Sequence, residues 1–514
     1  MRCHRALAVC LFVNVLAVLL SANAAPVAVH TSSGDLEGDS LATGGVVFKG
    51  IPYAAAPTGT GRWRSPQPAA AWKGTRMAAT YGAACEQPAQ GWNDSLVASM
   101  SEDCLYLNVW TPAVRAKASL PVVVWIHGGG FVGGAGTDPM FAGDELVKKD
   151  VVLVTLNYRL GIFGFYAHAD LTRDSVHHSS GNFGLEDQVA ALQWVHDNIA
   201  AFGGDAENIT VFGQSAGGMS VLTLLGSRLA QGKFQRAIIE SGALIGGPPM
   251  KRLEEAEMAG TEFAGADSLK SLRELPATEL LKRFGSFMST HRETRPGPVI
   301  DGYVLSADPN AAFRLHQENK IPLIIGNNAR EGFGRVSEDA LGNAIKQFYG
   351  AATAASSFYT TPDPILGSPA AQWVTDTSFR CSAVLTAARH AASGAPVYSY
   401  HFEQSIPGRE GDGAAHSYEL PYVFGNLLAA GPLAGPYGGA DRRLSNVMLT
   451  YWTNFAKRGD PNGEGLPVWP RFSASSGGYL RFSSALPQDA QAAEGLRRPQ
   501  CQLFETKLAN AVPP

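Results

Sequence analysis

A glycine-bounded motif places a serine between an expected strand and an expected helix. Gly213-Gln-Ser-Ala-Gly217 follows the β-prone run Ile209–Phe212, and the apolar run Met219–Leu225 comes after it. Glycines at both ends leave room where the backbone doubles back. Such a turn would lift Ser215 above a sheet, with the N–H groups of the next helix directed at its hydroxyl. The context favours a serine nucleophile over a plain strand-to-helix turn.

A serine hydroxyl is a weak nucleophile, so it needs a base, and the base needs an orienting acid. In sheets that carry a serine turn of this kind, these groups follow the serine at strand ends, first the acid and then a histidine. Glu331 comes shortly after the apolar run Ile321–Gly326, and His416 lies in a glycine-containing loop after Pro396–Phe402. The order predicts a triad of Ser215, Glu331 and His416.

Each role in this triad has rivals. Asp301 is an alternative acid, although its Asp-Gly context favours a turn. His401 falls within an expected strand and is expected to be a core residue, whereas His390, on a helix, is expected at the surface. The adjacent pair His177–His178 suggests a metal, but neighbouring side chains of an extended loop point opposite ways, which favours a solvated pair.

Attack on a carbonyl group also needs donors for the oxyanion that forms. His127-Gly-Gly-Gly130 ends the all-apolar run Leu120–Ile126, and its bare backbone amides can approach a substrate closely. Ala216, directly after the serine, supplies another amide. A flexible turn is the alternative for the glycine run.

Buried strands alternate with helical patterns along the chain, which predicts a mostly parallel sheet with helices on both faces. Between about 245 and 320 the pattern turns helical and polar, which we interpret as an insertion over the sheet edge. The main expected elements are strands 120–126, 151–157, 209–212, 234–240, 321–326, 396–402 and 479–482, and helices 185–202, 253–263, 269–284 and 444–457.

The composition and the motifs argue against several classes of function. The chain has 514 residues, 45% hydrophobic and 17% charged, with a net charge of −4, so neither nucleic acid nor an acidic membrane is an expected partner. Gly128–Gly130 is not followed by the Lys-Ser/Thr of a phosphate-binding loop, and no cysteine–histidine cluster has zinc spacing. No cofactor and no metal are expected.

The N-terminus resembles an export signal. A basic start, Met1–Arg5, precedes the apolar run Ala6–Leu20 and a small-residue site near Ala24. This predicts a signal peptide over residues 1–24 and a secreted or periplasmic protein, with an uncleaved anchor as the alternative. No later apolar run approaches the length of a membrane span, so stable membrane insertion is not expected. Four cysteines remain outside the predicted signal peptide: Cys85, Cys104, Cys381 and Cys501. Four cysteines allow three disulfide pairings.

Three motifs carry a resemblance to a known family. The stretches Ser101–Trp110, Gly181–Gln188 and Phe212–Gly218 resemble signatures of the type-B carboxylesterase/cholinesterase family of α/β-hydrolases, and the match covers nearly the whole mature chain. The resemblance implies one α/β-hydrolase domain over residues 25–514 that hydrolyses carboxylic esters of small molecules. It also implies helical insertions over the active-site edge.

The resemblance assigns a role to each site residue. It implies Ser215 as nucleophile, Glu331 as acid and His416 as base. It further implies an oxyanion hole formed by the backbone amides of Gly129, Gly130 and Ala216. It also implies two disulfides, Cys85–Cys104 and Cys381–Cys501.

Two positions bear on the substrate. Cholinesterases carry a glutamate before the serine, whereas this chain has Gln214, so an anion that helps to hold a cationic substrate is missing. Trp92 resembles their choline-stacking tryptophan, although a packing role is favoured. A general carboxylesterase is therefore favoured over a choline esterase or a lipase, and a non-catalytic adhesion protein is the remaining alternative.

Overall fold

A computed structural model describes residues 27–114, 118–245, 250–291, 294–332, 336–350 and 354–511. The predicted signal peptide lies outside these residues. The described strands are β1 (Val27–Thr31), β2 (Gly34–Ser40), β3 (Val46–Pro52), β4 (Thr75–Met77), β5 (Ala84–Cys85), β6 (Met100–Ser101), β7 (Tyr106–Thr111), β8 (Leu120–Ile126), β9 (Val152–Leu156), β10 (Gly204–Gln214), β11 (Arg236–Glu240), β12 (Leu323–Asn328), β13 (Val397–Phe402), β14 (Gly478–Phe482) and β15 (Ala490–Glu494).

Helices occupy most of the segments between the later strands. The described helices are α1 (Asp94–Val97), α2 (Gly161–Phe165), α3 (Ala169–Asp174), α4 (Phe183–Asn198), α5 (Ala216–Gly226), α6 (Leu253–Ala264), α7 (Leu269–Glu274), α8 (Ala277–Thr290), α9 (Pro309–Arg314), α10 (Glu338–Tyr349), α11 (Pro369–Thr375), α12 (Cys381–Ala392), α13 (Leu420–Phe424), α14 (Gly439–Arg458) and α15 (Arg498–Ala511). None of them is long and apolar enough to cross a bilayer.

The central strands run parallel, as the alternating pattern predicts. The order across the main sheet is β1-β2-β3-β7-β9-β8-β10-β11-β12-β13-β14-β15. From β9 to β14 every neighbouring pair is parallel, while the outer strands on both sides pair antiparallel. The carboxyl ends of β8, β10, β11, β12 and β13 therefore meet along one edge of the sheet.

Apolar side chains cover both faces of these strands. Alternate residues of β8 belong to two different buried clusters: Val122 and Val124 pack on one face, Val123 and Trp125 on the other. A strand buried on both faces needs a continuous apolar run, which explains why Leu120–Ile126 has no polar residue.

The largest error in the predicted elements lies in the insertion. One helix was expected over 269–284, but the structure has α7 and α8 instead, separated at Leu275-Pro276. Proline lacks the N–H that a helix interior requires and disfavours helical backbone in the residue before it. Pro276 accordingly precedes the first residue of α8.

Candidate active site

Ser215 lies in a strained turn between β10 and α5. Its backbone has φ 58° and ψ −123°, which a residue with a side chain adopts only under constraint. Close packing supplies the constraint: a Cβ on Gly213 would lie 2.6 Å from the carbonyl carbon of Gly217, and one on Gly217 would lie 2.0 Å from the carbonyl oxygen of Ile126. Both glycines are therefore required for the turn. The Ser215 hydroxyl does not cap α5, whose first N–H groups favour negative charge beside it.

His416 and Glu331 come together as the sequence predicts. The Nδ1 atom of His416 lies 2.6 Å from Oε2 of Glu331. A carboxylate can only accept, so Nδ1 donates and Nε2 carries the lone pair that a general base needs. The side-chain amide of Gln214, the residue before Ser215, donates to that Nε2 over 3.2 Å. The accepting nitrogen of the imidazole therefore lies beside the strained turn.

Glu331 is held by donors from two other strand ends. Its Oε1 atom accepts the Ser241 hydroxyl, which follows β11, over 2.8 Å and the backbone N–H of Asn328, at the end of β12, over 2.7 Å. With the imidazole, three donors surround a side chain that is 1% exposed. Donors of this kind stabilise a buried carboxylate anion, which is the form that orients an imidazole.

Two further buried acids nearby have far fewer donors. Oε1 of Glu240 accepts from the Trp452 indole over 2.7 Å, and Oε2 of Glu419 accepts from the Asn328 amide. Burial raises the pKa of Glu240 to about 8 and raises that of Glu419 well above its usual range, with neighbouring acids adding to the second shift. Burial therefore favours the neutral form of both side chains.

The glycine run after β8 lies against the serine turn. A Cβ on Gly128 would lie 2.7 Å from the carbonyl oxygen of Gln214 and 3.1 Å from the Cβ of Ser215. Gly129 and Gly130 have φ values of 106° and 63°, a region that favours glycine. The residue before this run, His127, is fully buried, and burial lowers its pKa to about 4.

Trp92 lies on the glycine run rather than in the core. Its indole is 40% exposed, and a Cβ on Gly129 or Gly133 would lie 3.2 Å from its Cη2 atom. The segment that carries it is closed by the Cys85–Cys104 disulfide. The second implied pair, Cys381–Cys501, is also bonded.

The rival residues have other roles. Asp301 accepts the N–H groups of Tyr303 and Leu305, as a turn residue does, and His401 is a buried core residue, as expected. The prediction for His390 was wrong: it is fully buried, its Nδ1 atom 3.0 Å from Glu318 and its Nε2 atom 2.8 Å from the carbonyl oxygen of Ile321. Within the described residues, no group of three or more potential ligands is arranged to hold a metal.

Sequence reasoning missed two residues around the acid. Ser241 directly follows β11, so the rule that strand ends share one edge could have found it. Thr375 accepts the backbone N–H of Glu331 over 3.2 Å, but it comes from the end of α11, and no local pattern indicates that contact.

Comparison with known proteins identifies the family. The carboxylesterase family model matches residues 25–504. The chain belongs to the carboxylesterase family. Carboxylesterases hydrolyse carboxylic esters, and this chain is a carboxylic ester hydrolase with the α/β-hydrolase fold that the resemblance implied.

Relatives of this carboxylesterase cover most of its length. It is 39% identical to a fumonisin B1 esterase of Sphingopyxis macrogoltabida, over 91% of this chain and 90% of that protein. It is 34% identical to carboxylesterase 1C of Rattus norvegicus, over 91% and 92%. The solved structure of a thermophilic PNB esterase superposes with a TM-score of 0.81 at 34% identity, over 93% of this chain and 99% of that one.

Proposed function

We propose that this carboxylesterase works through a Ser215–His416–Glu331 triad and an acyl-enzyme. His416 takes the Ser215 proton as the hydroxyl oxygen attacks the acyl carbon, and then gives that proton to the leaving alcohol. Water, deprotonated by the same imidazole, hydrolyses the acyl-enzyme and restores Ser215. The contact that carries this proposal is the 2.6 Å hydrogen bond between His416 and Glu331, at the sheet edge where Ser215 lies.

The oxyanion would be held by the backbone amides of Gly129, Gly130 and Ala216. Support comes from the glycine run packed against the serine turn and from the position of Ala216 as the first residue of α5. Amides fixed before the reaction stabilise the developing charge without reorganisation.

Replacement of the acid tests the orienting role of Glu331. In Glu331→Gln, the new amide can donate to Nδ1, which leaves the proton on Nε2, where it cannot accept from Ser215. We expect kcat to fall by about 10⁴-fold with a small change in KM, as for loss of the acid's charge in other triads. Steady-state kinetics would measure this, with Glu279→Gln on the exposed face of α8 as a control. A loss below about tenfold would remove Glu331 from the triad.

For the substrate class, we propose neutral carboxylic esters. The side chain next to the nucleophile, Gln214, is uncharged and contacts the catalytic imidazole. Burial also favours the neutral forms of Glu240 and Glu419. A panel of p-nitrophenyl esters from acetyl to palmitoyl, together with acetylthiocholine, tests the class. We expect the neutral esters to give the higher kcat/KM.

Introducing the missing anion should change this preference. In Gln214→Glu, a carboxylate beside the imidazole favours the protonated ring, so the acid limb of the kcat/KM profile should move up by about one pH unit. The KM for acetylthiocholine should fall while that for p-nitrophenyl acetate stays within about twofold. Gln193→Glu, which adds the same charge on the exposed face of α4, should change neither. An unmoved acid limb in Gln214→Glu would contradict the contact with His416.

A second candidate is hydrolysis of fumonisin B1. The 39% identity with a fumonisin B1 esterase over nine-tenths of both chains favours it. Incubation with fumonisin B1 and mass spectrometry of the products tests it directly: loss of an acyl group would support this substrate, and unchanged toxin beside rapid p-nitrophenyl acetate hydrolysis would exclude it.

We also propose export through the predicted signal over residues 1–24. Two disulfides support an oxidising compartment. N-terminal sequencing of the exported protein should begin near Ala25.

A further inference from the structure

A short π-helical segment, Asp376–Arg380, joins α11 to α12 behind the triad. The N–H of Cys381 donates to the carbonyl of Asp376, five residues earlier, rather than four as in an α-helix. Residues three and four apart share one side of an α-helix, and the wider turn extends this to residues five apart. Thr375 and Arg380 are five apart, and both contact the loop that carries the catalytic acid.

From these contacts, we propose that Thr375, Phe379 and Arg380 are positioning residues for the acid and the base. The inference rests on the triad proposed above. It assigns to the end of α11 and to the π-helical segment the task of holding Glu331 and His416 in the geometry that the reaction needs.

The acid loop, defined as Ala329–Glu331, is held on both sides. Its N–H groups at Ala329 and Arg330 donate to the carbonyl groups of Phe402 and Ala414, each over 2.9 Å, which ties it to β13 and to the loop of the base. The end of α11 and the π-helical segment supply two further bonds to the backbone of this loop. The Arg380 guanidinium donates to the carbonyl oxygen of Ala329 over 2.8 Å, and the Thr375 hydroxyl accepts the N–H of Glu331 over 3.2 Å.

Arg380 is itself fixed by a buried network. It is 0% exposed, ion-paired with Asp376, and its Nη2 atom donates to Nε2 of His401 over 3.3 Å. Nδ1 of His401 then donates to Glu403 over 2.9 Å. Arg497 reaches the same Asp376 over 2.8 Å. A planar guanidinium with partners in several directions has one orientation, so the carbonyl of Ala329 receives its bond from a rigid donor.

Phe379 supplies the contact to the base. Its ring lies 5.2 Å from that of His416, centroid to centroid, at an interplanar angle of 43°. An imidazole that moves by a fraction of an ångström loses alignment with its partners, which costs rate rather than binding. The Cys381–Cys501 bond, directly after the segment, ties it to α15.

The test is a pair of substitutions at Thr375 on the full chain. Thr375→Val keeps the volume but removes the acceptor, so the N–H of Glu331 is left unpaired; we expect kcat per active site to fall by about tenfold, with KM within about twofold. Thr375→Ser restores the acceptor and should return kcat to within about threefold of the parent. Active-site titration with a serine-reactive p-nitrophenyl phosphonate separates these values from a loss of folded protein.

A second pair tests the guanidinium. Arg380→Lys keeps the charge but cannot donate in several directions as a planar guanidinium does, so it should also lower kcat by about tenfold. Arg389→Lys on α12 is the control: Arg389 contacts Asn310 away from the triad, so kcat should stay unchanged. Equal kcat per active site in the parent and Thr375→Val, or equal losses in the valine and serine variants, would overturn the proposal. If the proposed triad itself were wrong, the result would be different: activity would survive in Ser215→Ala.

Discussion

Ser215→Ala is expected to lower kcat by about 10⁶-fold. Alanine keeps the Cβ and so can occupy the same strained turn, but it lacks the oxygen that forms the bond to the acyl carbon. Removing the serine of a triad costs about as much as removing the whole triad, because the groups act as a unit. Hydrolysis of p-nitrophenyl acetate under single-turnover and steady-state conditions measures the loss.

The control for that variant lies one turn further along α5. Ser220 is buried and accepts a hydrogen bond from Gln188, so Ser220→Ala removes a hydroxyl from the same helix without touching the proposed reaction. We expect its kcat within a few-fold of the parent. If Ser215→Ala kept more than about 1% of the activity, another residue would be the nucleophile.

His416→Ala is expected to approach the same loss, about 10⁶-fold in kcat. Without the imidazole nothing accepts the Ser215 proton, and nothing protonates the leaving alcohol. The truncation leaves a space between Phe379 and Gln214, both of which contact the ring, so added imidazole should restore part of the rate.

Two comparisons make the histidine result specific. His196→Ala, at an exposed position on α4, should keep the parental rate with and without imidazole. A double Ser215→Ala/His416→Ala variant should be no slower than either single variant, because the two groups act together. A His416→Ala enzyme with normal kcat/KM would end the assignment of the base.

The position of the proposed triad can be predicted from the sequence because the topology of a parallel sheet determines it. Ser215, Ser241, Glu331 and His416 all follow strands whose carboxyl ends lie at one edge. Reading along the chain for an acid and then a histidine after successive strands therefore selects two side chains that the structure brings into contact, although His416 is 85 residues beyond Glu331.

The supporting contacts depend on helix geometry that the sequence does not display. Thr375 reaches Glu331 across 44 residues, and Arg380 faces the same loop because a π-helical turn changes which residues share a side. His390 shows the same difficulty: beside Arg389 it looks exposed, yet its ring is buried against Glu318. A helix pattern indicates where a residue lies around the axis, but not which neighbouring segment covers it.

The expected preference for neutral esters follows from the uncharged groups around the proposed nucleophile. Gln214 is neutral by residue type, and burial raises the pKa of Glu240 to about 8. Glu331 has three donors, one of which is the imidazole of His416. Neutral esters should therefore be preferred, and the choice of a general carboxylesterase over a choline esterase stays a prediction.

The most direct test of the account is to trap the acyl-enzyme and locate the bond. The parent enzyme, mixed with a slowly deacylating p-nitrophenyl ester and quenched during the burst, should gain one acyl mass per chain, and peptide mapping should place it on Ser215. Ser215→Ala should gain none. An adduct on another residue, or rapid hydrolysis with no burst and no adduct under conditions where deacylation is slow, would contradict the mechanism.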